Sequence, residues 1–148
     1  MKLNDGDVSS GHGAGAFRML VIDNDDADRE LTIRHLGEAW PFEHEMVPDH
    51  AGTGHEALDK MRATRYALAV LDWRLPGMDG GEVLRIMRRE RILTPVMVVS
   101  GIPRERIPEN LALLGAVFPS KDGMDSVTLR DAIAAALHQL GLGRSLAA

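Results

Sequence analysis

Short apolar runs recur along the chain from residue 18 onward. Most are continuous rather than alternating, which is typical of parallel strands covered on both faces. In chain order they are Met19–Ile22, a weaker run at Glu45–Val47, Ala67–Leu71, Val96–Val99 and Ala116–Phe118. The pattern predicts five strands in a sheet that is buried on both sides.

Amphipathic stretches separate and follow these runs, and they predict five helices. The apolar markers are Leu31, Ile33, Leu36 and Trp40 for the first helix, Ala57, Leu58 and Met61 for the second, Val83, Ile86 and Met87 for the third, Leu111–Leu114 for a short fourth, and Val127–Leu140 for a long fifth. Pro76-Gly77 predicts a turn, and Asp79 with Glu82 predicts a capping box that starts the third helix.

Alternating strands and helices predict an α/β fold of the (βα)5 type. One doubly wound parallel five-stranded sheet with right-handed crossovers is expected, as a single domain over residues 17–140. Residues 1–16 are rich in Gly, Ser and Asp, and we expect a flexible N-terminal tail. Residues 141–148 are expected to form a short C-terminal tail.

Composition narrows the function classes. The chain has 148 residues, no cysteine and a net charge of −5. Disulfides and thiolate chemistry are therefore excluded, and nothing indicates a nucleic-acid partner. No apolar run approaches the roughly 18 residues of a membrane span, and the N-terminus lacks a signal-peptide pattern. We expect a cytoplasmic protein without a membrane partner.

Polar side chains follow the apolar runs at the strand ends. Asp23 and Asn24 follow the first run, Asp72 the third and Ser100 the fourth, while Lys121 lies just past the fifth. In an open α/β sheet these ends meet at one edge. Oxygen ligands there suit Mg2+, and a carboxylate can become an aspartyl phosphate. A hydroxyl and an ammonium can contact phosphoryl oxygens, and Asp72 is the best candidate nucleophile.

Four motifs together resemble a response-regulator receiver domain of bacterial two-component signalling. They are LVIDND (20–25), LAVLDWRLPGMDGGEVL (68–84), TPVMVVSG (94–101) and GAVFPSK (115–121). The resemblance spans about residues 18–140 and implies a flavodoxin-like sheet with strand order 2-1-3-4-5. The DDAD stretch at 25–28 and a missing Lys-Pro pair further resemble stand-alone receivers that work with phytochrome-type kinases.

The resemblance also implies a role for each matching residue. These roles are phospho-acceptor for Asp72, Mg2+ ligands for Asp23, Asn24, Asp72 and the main-chain carbonyl of Arg74, switch hydroxyl for Ser100, phosphoryl-pairing cation for Lys121 and switch aromatic for Phe118. The implied donor is a phosphohistidine on a histidine kinase or a histidine phosphotransfer protein. The phosphorylated chain would change its surface around the fourth helix and fifth strand. It would then act on a downstream protein, relay the phosphoryl group or form a homodimer.

Three departures from the family pattern bear on this function. Asn24 replaces a second acid, so its amide adds no charge and weaker Mg2+ binding is expected. Asp122 follows Lys121 where the family usually has proline, and Asp122 can compete for that lysine. Pro103 and Pro108 disturb the fourth helix. Asn24 and Asp122 favour an alternative: a receiver fold that binds proteins without phosphorylation. An enzyme proper is not expected, because no substrate pocket is indicated.

Several patterns have simpler structural interpretations. Asp25, Asp26 and Asp28 are expected to cap and begin the first helix rather than bind metal. The G-x-G-x-x-A match at 52–57 is set aside as a dinucleotide fingerprint, because it would leave the strand-end residues unexplained. Arg74 stands where a haloacid-dehalogenase-type phosphatase needs an acid. No histidine spacing indicates zinc. A solvated helix face is expected for Arg85, Arg88, Arg89 and Arg91.

Overall fold

The computed structural model describes residues 17–40, 45–99, 115–117 and 126–139. The strands are β1 Phe17–Ile22, β2 Met46–Ala51, β3 Leu68–Asp72, β4 Val96–Val99 and β5 Ala116–Val117. The helices are α1 Asp26–Ala39, α2 Gly54–Ala63, α3 Gly80–Arg89 and α4 Ser126–Gln139. Within these ranges, no helix has the length and apolar character needed to cross a membrane.

The strands form one sheet in the order β2-β1-β3-β4-β5, and every neighbouring pair is parallel. This confirms the predicted order 2-1-3-4-5. Helix α4 corresponds to the predicted fifth helix. The predicted short fourth helix at 111–114 lies outside the described residues, as do the two predicted tails at 1–16 and 141–148.

The sheet separates two apolar clusters. Successive side chains of a strand point to opposite faces, so β3 contributes to both clusters. Val70 packs with Leu36 of α1 and Ile133 of α4, whereas Leu71 packs with Leu58 of α2 and Leu84 of α3. All six side chains are at most 2% exposed. The continuous apolar run in β3 is therefore explained by burial on both faces.

Side-chain caps start the helices where the sequence predicts them. Asp25 is the N-cap of α1, its carboxylate accepts from the Asp28 N–H at 2.9 Å, and Asp26 and Asp28 lie in the first turn. At α3 both halves of the capping box form. Asp79 accepts from the Glu82 N–H at 2.9 Å, and Glu82 accepts from the Asp79 N–H at 3.2 Å. Both cap predictions are confirmed.

Two details of the helices differ from the predictions. Leu31, a marker of the first helix, is 43% exposed, because α1 buries Leu36 and Ala39 instead. The solvated-face prediction is wrong for Arg88, which is half-buried. Its guanidinium donates to the main-chain oxygens of Ile92 at 2.6 Å and Thr94 at 2.9 Å. These bonds hold the segment between α3 and β4, and burial lowers the pKa of Arg88.

Candidate functional site

Two carboxylates lie side by side at the carboxyl edge of the sheet. Ile22 and Leu71 form the last registered pair of β1 and β3. Asp23 directly follows β1, and Asp72 is the last residue of β3. Adjacent strands are about 4.8 Å apart, so these two residues share one edge. Asp72 is also registered with Val99 of β4. The predicted convergence of Asp23 and Asp72 follows from this register.

The loop after β1 holds Asp23 through its main chain and its side chain. Its N–H donates to the Ala51 oxygen at 3.0 Å, which ties the loop to the end of β2. Its Oδ1 accepts from the Asp25 N–H at 2.9 Å. Its carbonyl accepts from Arg29 Nη1 at 2.7 Å. Asn24, the next residue, is exposed. The Asp23 carboxylate therefore has a defined direction while Asn24 faces solvent.

The loop after β3 is held against the start of α3. Asp72 Oδ1 accepts from the Arg74 N–H at 3.3 Å, and the Gly80 N–H donates to the Trp73 oxygen at 2.8 Å. A Cβ on Gly80 would lie 3.0 Å from both the main-chain oxygen of Asp72 and Trp73 Cα. Glycine is therefore favoured there, because a Cβ would make a tight contact with the backbone next to Asp72.

The electrostatics of the site suit a bound cation. Burial raises the pKa of the Asp23 carboxyl above its ordinary value, and the nearby Asp28 and Asp25 charges act in the same direction. The Asp25 N–H and Arg29 oppose this rise. Among the described residues, no group of three or more His, Cys, Asp or Glu side chains is arranged to hold a metal. The oxygen donors nearby are two carboxylates, the Asn24 amide and main-chain carbonyls, which fit a hard cation such as Mg2+.

Replacing Asp23 with asparagine is expected to stabilise the metal-free protein by about 0.5–1 kcal/mol near pH 7. A carboxyl whose pKa is raised by folding stabilises the fold fully only below its unfolded pKa. That contribution is lost as the pH rises through the folded pKa, so ionised Asp23 opposes folding near neutrality. Urea unfolding in EDTA measures the gain, which should shrink toward about pH 4.

The exposed Asp59 provides a matched control for this substitution. Its side chain is 78% exposed and pairs with Arg62 on α2, away from the sheet edge. Asp59→Asn should change stability by less than about 0.5 kcal/mol at either pH. A loss of stability in Asp23→Asn near pH 7 would contradict the inferred desolvation of that carboxylate.

The predicted site residues are only partly within the described residues. Asp23, Asn24 and Arg74 lie in the loops described above, and Asp72 ends β3. Ser100, Phe118, Lys121 and Asp122 lie outside the described residues, as do Pro103 and Pro108. Sequence reasoning missed Arg29, and it used Gly80 only as part of the motif around Asp72, without its packing against the backbone. The sequence did offer a reason to consider Arg29: it is a cation that directly follows a stretch with four carboxylates at residues 23–28.

The glycine-rich stretch at 52–57 has a structural role. Thr53 Oγ1 accepts from the Glu56 N–H at 3.0 Å, and Glu56 Oε1 accepts from the Gly52 N–H at 2.8 Å. A Cβ on Gly54 would lie 2.8 Å from Val83 Cγ2. Two backbone N–H groups at the start of α2, those of Gly52 and Glu56, are thus capped, and Gly54 allows α2 to approach α3. Capping and packing account for the pattern without a dinucleotide.

Comparison with known families agrees with this geometry. The family model described as "Response regulator receiver domain" matches residues 19–118, which is more than half of the chain. The chain belongs to the response regulator receiver domain family. As a receiver domain, it is part of a family that serves phosphorylation-dependent signalling and is mostly non-enzymatic.

Individual relatives share this domain. The protein-glutamate methylesterase/protein-glutamine glutaminase 1 of Hahella chejuensis is 33% identical over 121 residues, which cover 80% of this chain and 32% of that protein. The receiver domain thus spans about a third of the length of the curated relatives it matches. The methylesterase activity in that name belongs to the longer protein.

Solved receiver domains share the fold. The NarL receiver domain from Mycobacterium tuberculosis is 28% identical with a TM-score of 0.66, covering 80% of this chain and 93% of that one. TrrA from Thermotoga maritima, solved in complex with Mg(2+)-BeF, is 27% identical with a TM-score of 0.58, covering 70% and 87% of the two chains.

Proposed function

We propose that this receiver domain accepts a phosphoryl group on Asp72 in the presence of Mg2+ and thereby switches a partner-binding surface. The observation that carries the proposal is the placement of Asp23 and Asp72 directly after the registered pair Ile22 and Leu71. This placement puts a half-buried acceptor carboxylate beside a second carboxylate whose ionised form is disfavoured by burial. A cation bound between them would relieve that cost.

The residues that would hold Mg2+ are Asp23, Asn24, Asp72 and the main-chain carbonyl of Arg74. All four groups offer oxygen, the ligand type this ion prefers. When bound, the ion offsets negative charge on the phosphoryl group and on the two carboxylates. Asn24 contributes an oxygen without charge, so we expect weaker binding than a third carboxylate would give.

The proposed chemistry is a phosphoryl transfer from a phosphohistidine of a kinase or phosphotransfer protein. A carboxylate oxygen of Asp72 attacks phosphorus, a P–O bond forms and the P–N bond breaks. The imidazole nitrogen keeps the electron pair of the broken bond and takes a proton from water. Lys121 and Ser100 would contact the phosphoryl oxygens, and Phe118 would follow Ser100. These last three roles rest on the family resemblance alone.

Acetyl phosphate with Mg2+ provides a direct test. Intact-mass analysis of the wild type should show one acid-labile phosphoryl group, and Asp72→Asn should show none. Asp59→Asn, which changes an exposed side chain of α2, should gain the same phosphoryl group as the wild type. If the wild type gains no adduct, or if Asp72→Asn gains one equally well, the assignment of Asp72 fails.

A phosphorylation-independent binding module is the second candidate function. It is supported by Asn24, which leaves Asp23 and Asp72 as the carboxylates of the candidate site. Trp73 directly follows Asp72 and is half-buried, so its fluorescence should respond to beryllofluoride with Mg2+ if the domain switches. The other tryptophan, Trp40, stacks edge-on against Phe17 and can be replaced by phenylalanine to isolate the signal. Unchanged fluorescence and no adduct would favour the binding module.

A further inference from the structure

One arginine is enclosed by the acidic loop that follows β1. The Arg29 side chain is only 13% exposed, although it begins the second turn of a surface helix. Nη1 donates to the Asp23 carbonyl at 2.7 Å, and Nη2 contacts Asp26 Oδ1. The planar guanidinium thereby joins the Asp23 carbonyl, before the helix, to the Asp26 carboxylate in its first turn. Lysine has no such fork of two rigidly spaced donors.

The same guanidinium lies beside the loop that follows β2. A Cβ on Gly52 would lie 3.9 Å from Arg29 Nη1 and 3.8 Å from Glu56 Oε1. The Gly52 N–H donates to that Glu56 oxygen at 2.8 Å. Arg29 therefore lies where the loops after β1 and β2 meet, with carboxylates on both sides.

Asp23 depends on Arg29 for one of its three anchors. The other two are made by main-chain groups, the Ala51 carbonyl and the Asp25 N–H. With its main chain held at both the N–H and the carbonyl, Asp23 has little freedom to rotate. Its Oδ1 is directed at the Asp25 N–H, which leaves Oδ2 for a further partner.

We propose that Arg29 is a positioning residue for Mg2+ binding: it fixes the main chain of Asp23 so that the carboxylate is directed toward the cation before the cation arrives. This inference rests on the proposed function of Asp72. It assigns no contact between Arg29 and the phosphoryl group. Groups that orient metal ligands commonly affect metal affinity by about 10–100-fold.

A pure charge effect predicts the opposite sign, which makes the proposal testable. If Arg29 only repelled the cation, its neutral variant would bind Mg2+ more tightly. If Arg29 positions Asp23, Arg29→Gln should weaken binding by about tenfold, near the low end of the usual range because the lost repulsion offsets part of the effect. Arg29→Lys keeps the charge but not the fork, so it should also weaken binding, without any gain from lost repulsion.

Mg2+ titration of Trp73 fluorescence in a Trp40→Phe background measures these dissociation constants. Arg34→Gln is the matched control, since it removes the same charge from an exposed position of α1 and should leave the constant unchanged. Circular dichroism before each titration checks that the variants are folded. Equal or tighter Mg2+ binding by folded Arg29→Gln overturns the proposal.

Amide hydrogen exchange in EDTA gives a readout that needs no metal. The Asp25 N–H, bonded to Asp23 Oδ1, should exchange faster in Arg29→Gln than in the wild type or Arg34→Gln. Unchanged exchange would overturn the positioning role even if the wild type binds Mg2+ and is phosphorylated. A wild type that gains no acid-labile adduct, with faster exchange in Arg29→Gln, would reject the proposed phosphorylation while retaining the loop contact.

Discussion

Replacing Gly80 with alanine is expected to lower the free energy of unfolding by about 2 kcal/mol and to impair phosphorylation of Asp72. The added Cβ would lie 3.0 Å from the main-chain oxygen of Asp72 and from Trp73 Cα. Both are backbone atoms, so no change of rotamer can relieve the contact. The start of α3 must move away from the end of β3, and the bond from the Gly80 N–H to the Trp73 oxygen lengthens or breaks.

Gly37 offers the same substitution without the clash. It lies exposed in α1, and a Cβ there would meet only Met46 Cε at 3.8 Å, an ordinary contact distance. Gly37→Ala should therefore stabilise the protein by about 0.5–1 kcal/mol through helix propensity. If the contact at Gly80 matters, urea unfolding should show a loss of stability for Gly80→Ala and a gain for Gly37→Ala. The acetyl phosphate assay should show impaired phosphorylation only in Gly80→Ala. Equal stability of Gly80→Ala and wild type would contradict it.

Leu84→Ala is expected to cost about 3 kcal/mol, because it empties space in the cluster between the sheet and α3. Leu84 is fully buried and packs in the cluster that contains Leu71, the residue before Asp72. Leu93 is the matched control, because its side chain is 65% exposed just beyond α3. Leu93→Ala should change stability by less than about 0.5 kcal/mol. Similar losses in the two variants would contradict the packing described for α3.

Most of the sheet could be predicted from sequence because β1, β3 and β4 are buried on both faces. Four continuous apolar runs report that burial directly, and the strand order followed from the family resemblance. The second strand was the least clear of the five and proved longer than its apolar run. It continues through Pro48, Asp49 and His50 to Ala51, because it lies at the edge of the sheet. Edge strands tolerate proline and polar residues, so the apolar pattern fades there.

Tertiary partners explain the polar residues that the sequence left unassigned. Asp49 accepts from the Tyr66 hydroxyl at 2.6 Å and pairs with Lys60 at 3.2 Å. These contacts lower the pKa of Asp49 despite its partial burial, and raise that of Tyr66, where burial is the first cause. The partners lie 17 and 11 positions away along the chain. No local pattern could have predicted such contacts.

Within the candidate site, only the residues at the strand ends could be placed from the sequence. Asp23 and Asp72 stand at the ends of apolar runs, so their positions could be inferred from strand boundaries alone. Gly80 and Arg29 act through backbone atoms of other segments, and a residue type by itself does not indicate such a contact. Helix caps were easier, since Asp79 and Glu82 bond within a single turn.

Arg88 also makes the two ends of β4 and β5 differ in how firmly they are held. Its guanidinium bonds to the two carbonyls that lead into β4 and lies 3.5 Å from the Gly115 carbonyl that leads into β5. The entry ends of both strands are thereby tied to α3, on the side of the sheet opposite Asp72. A rearrangement that begins at Asp72 would meet least resistance at the exit ends of β4 and β5. Under the proposed phosphorylation of Asp72, β4 and β5 would therefore move most at their carboxyl ends, while their amino ends stay attached to α3.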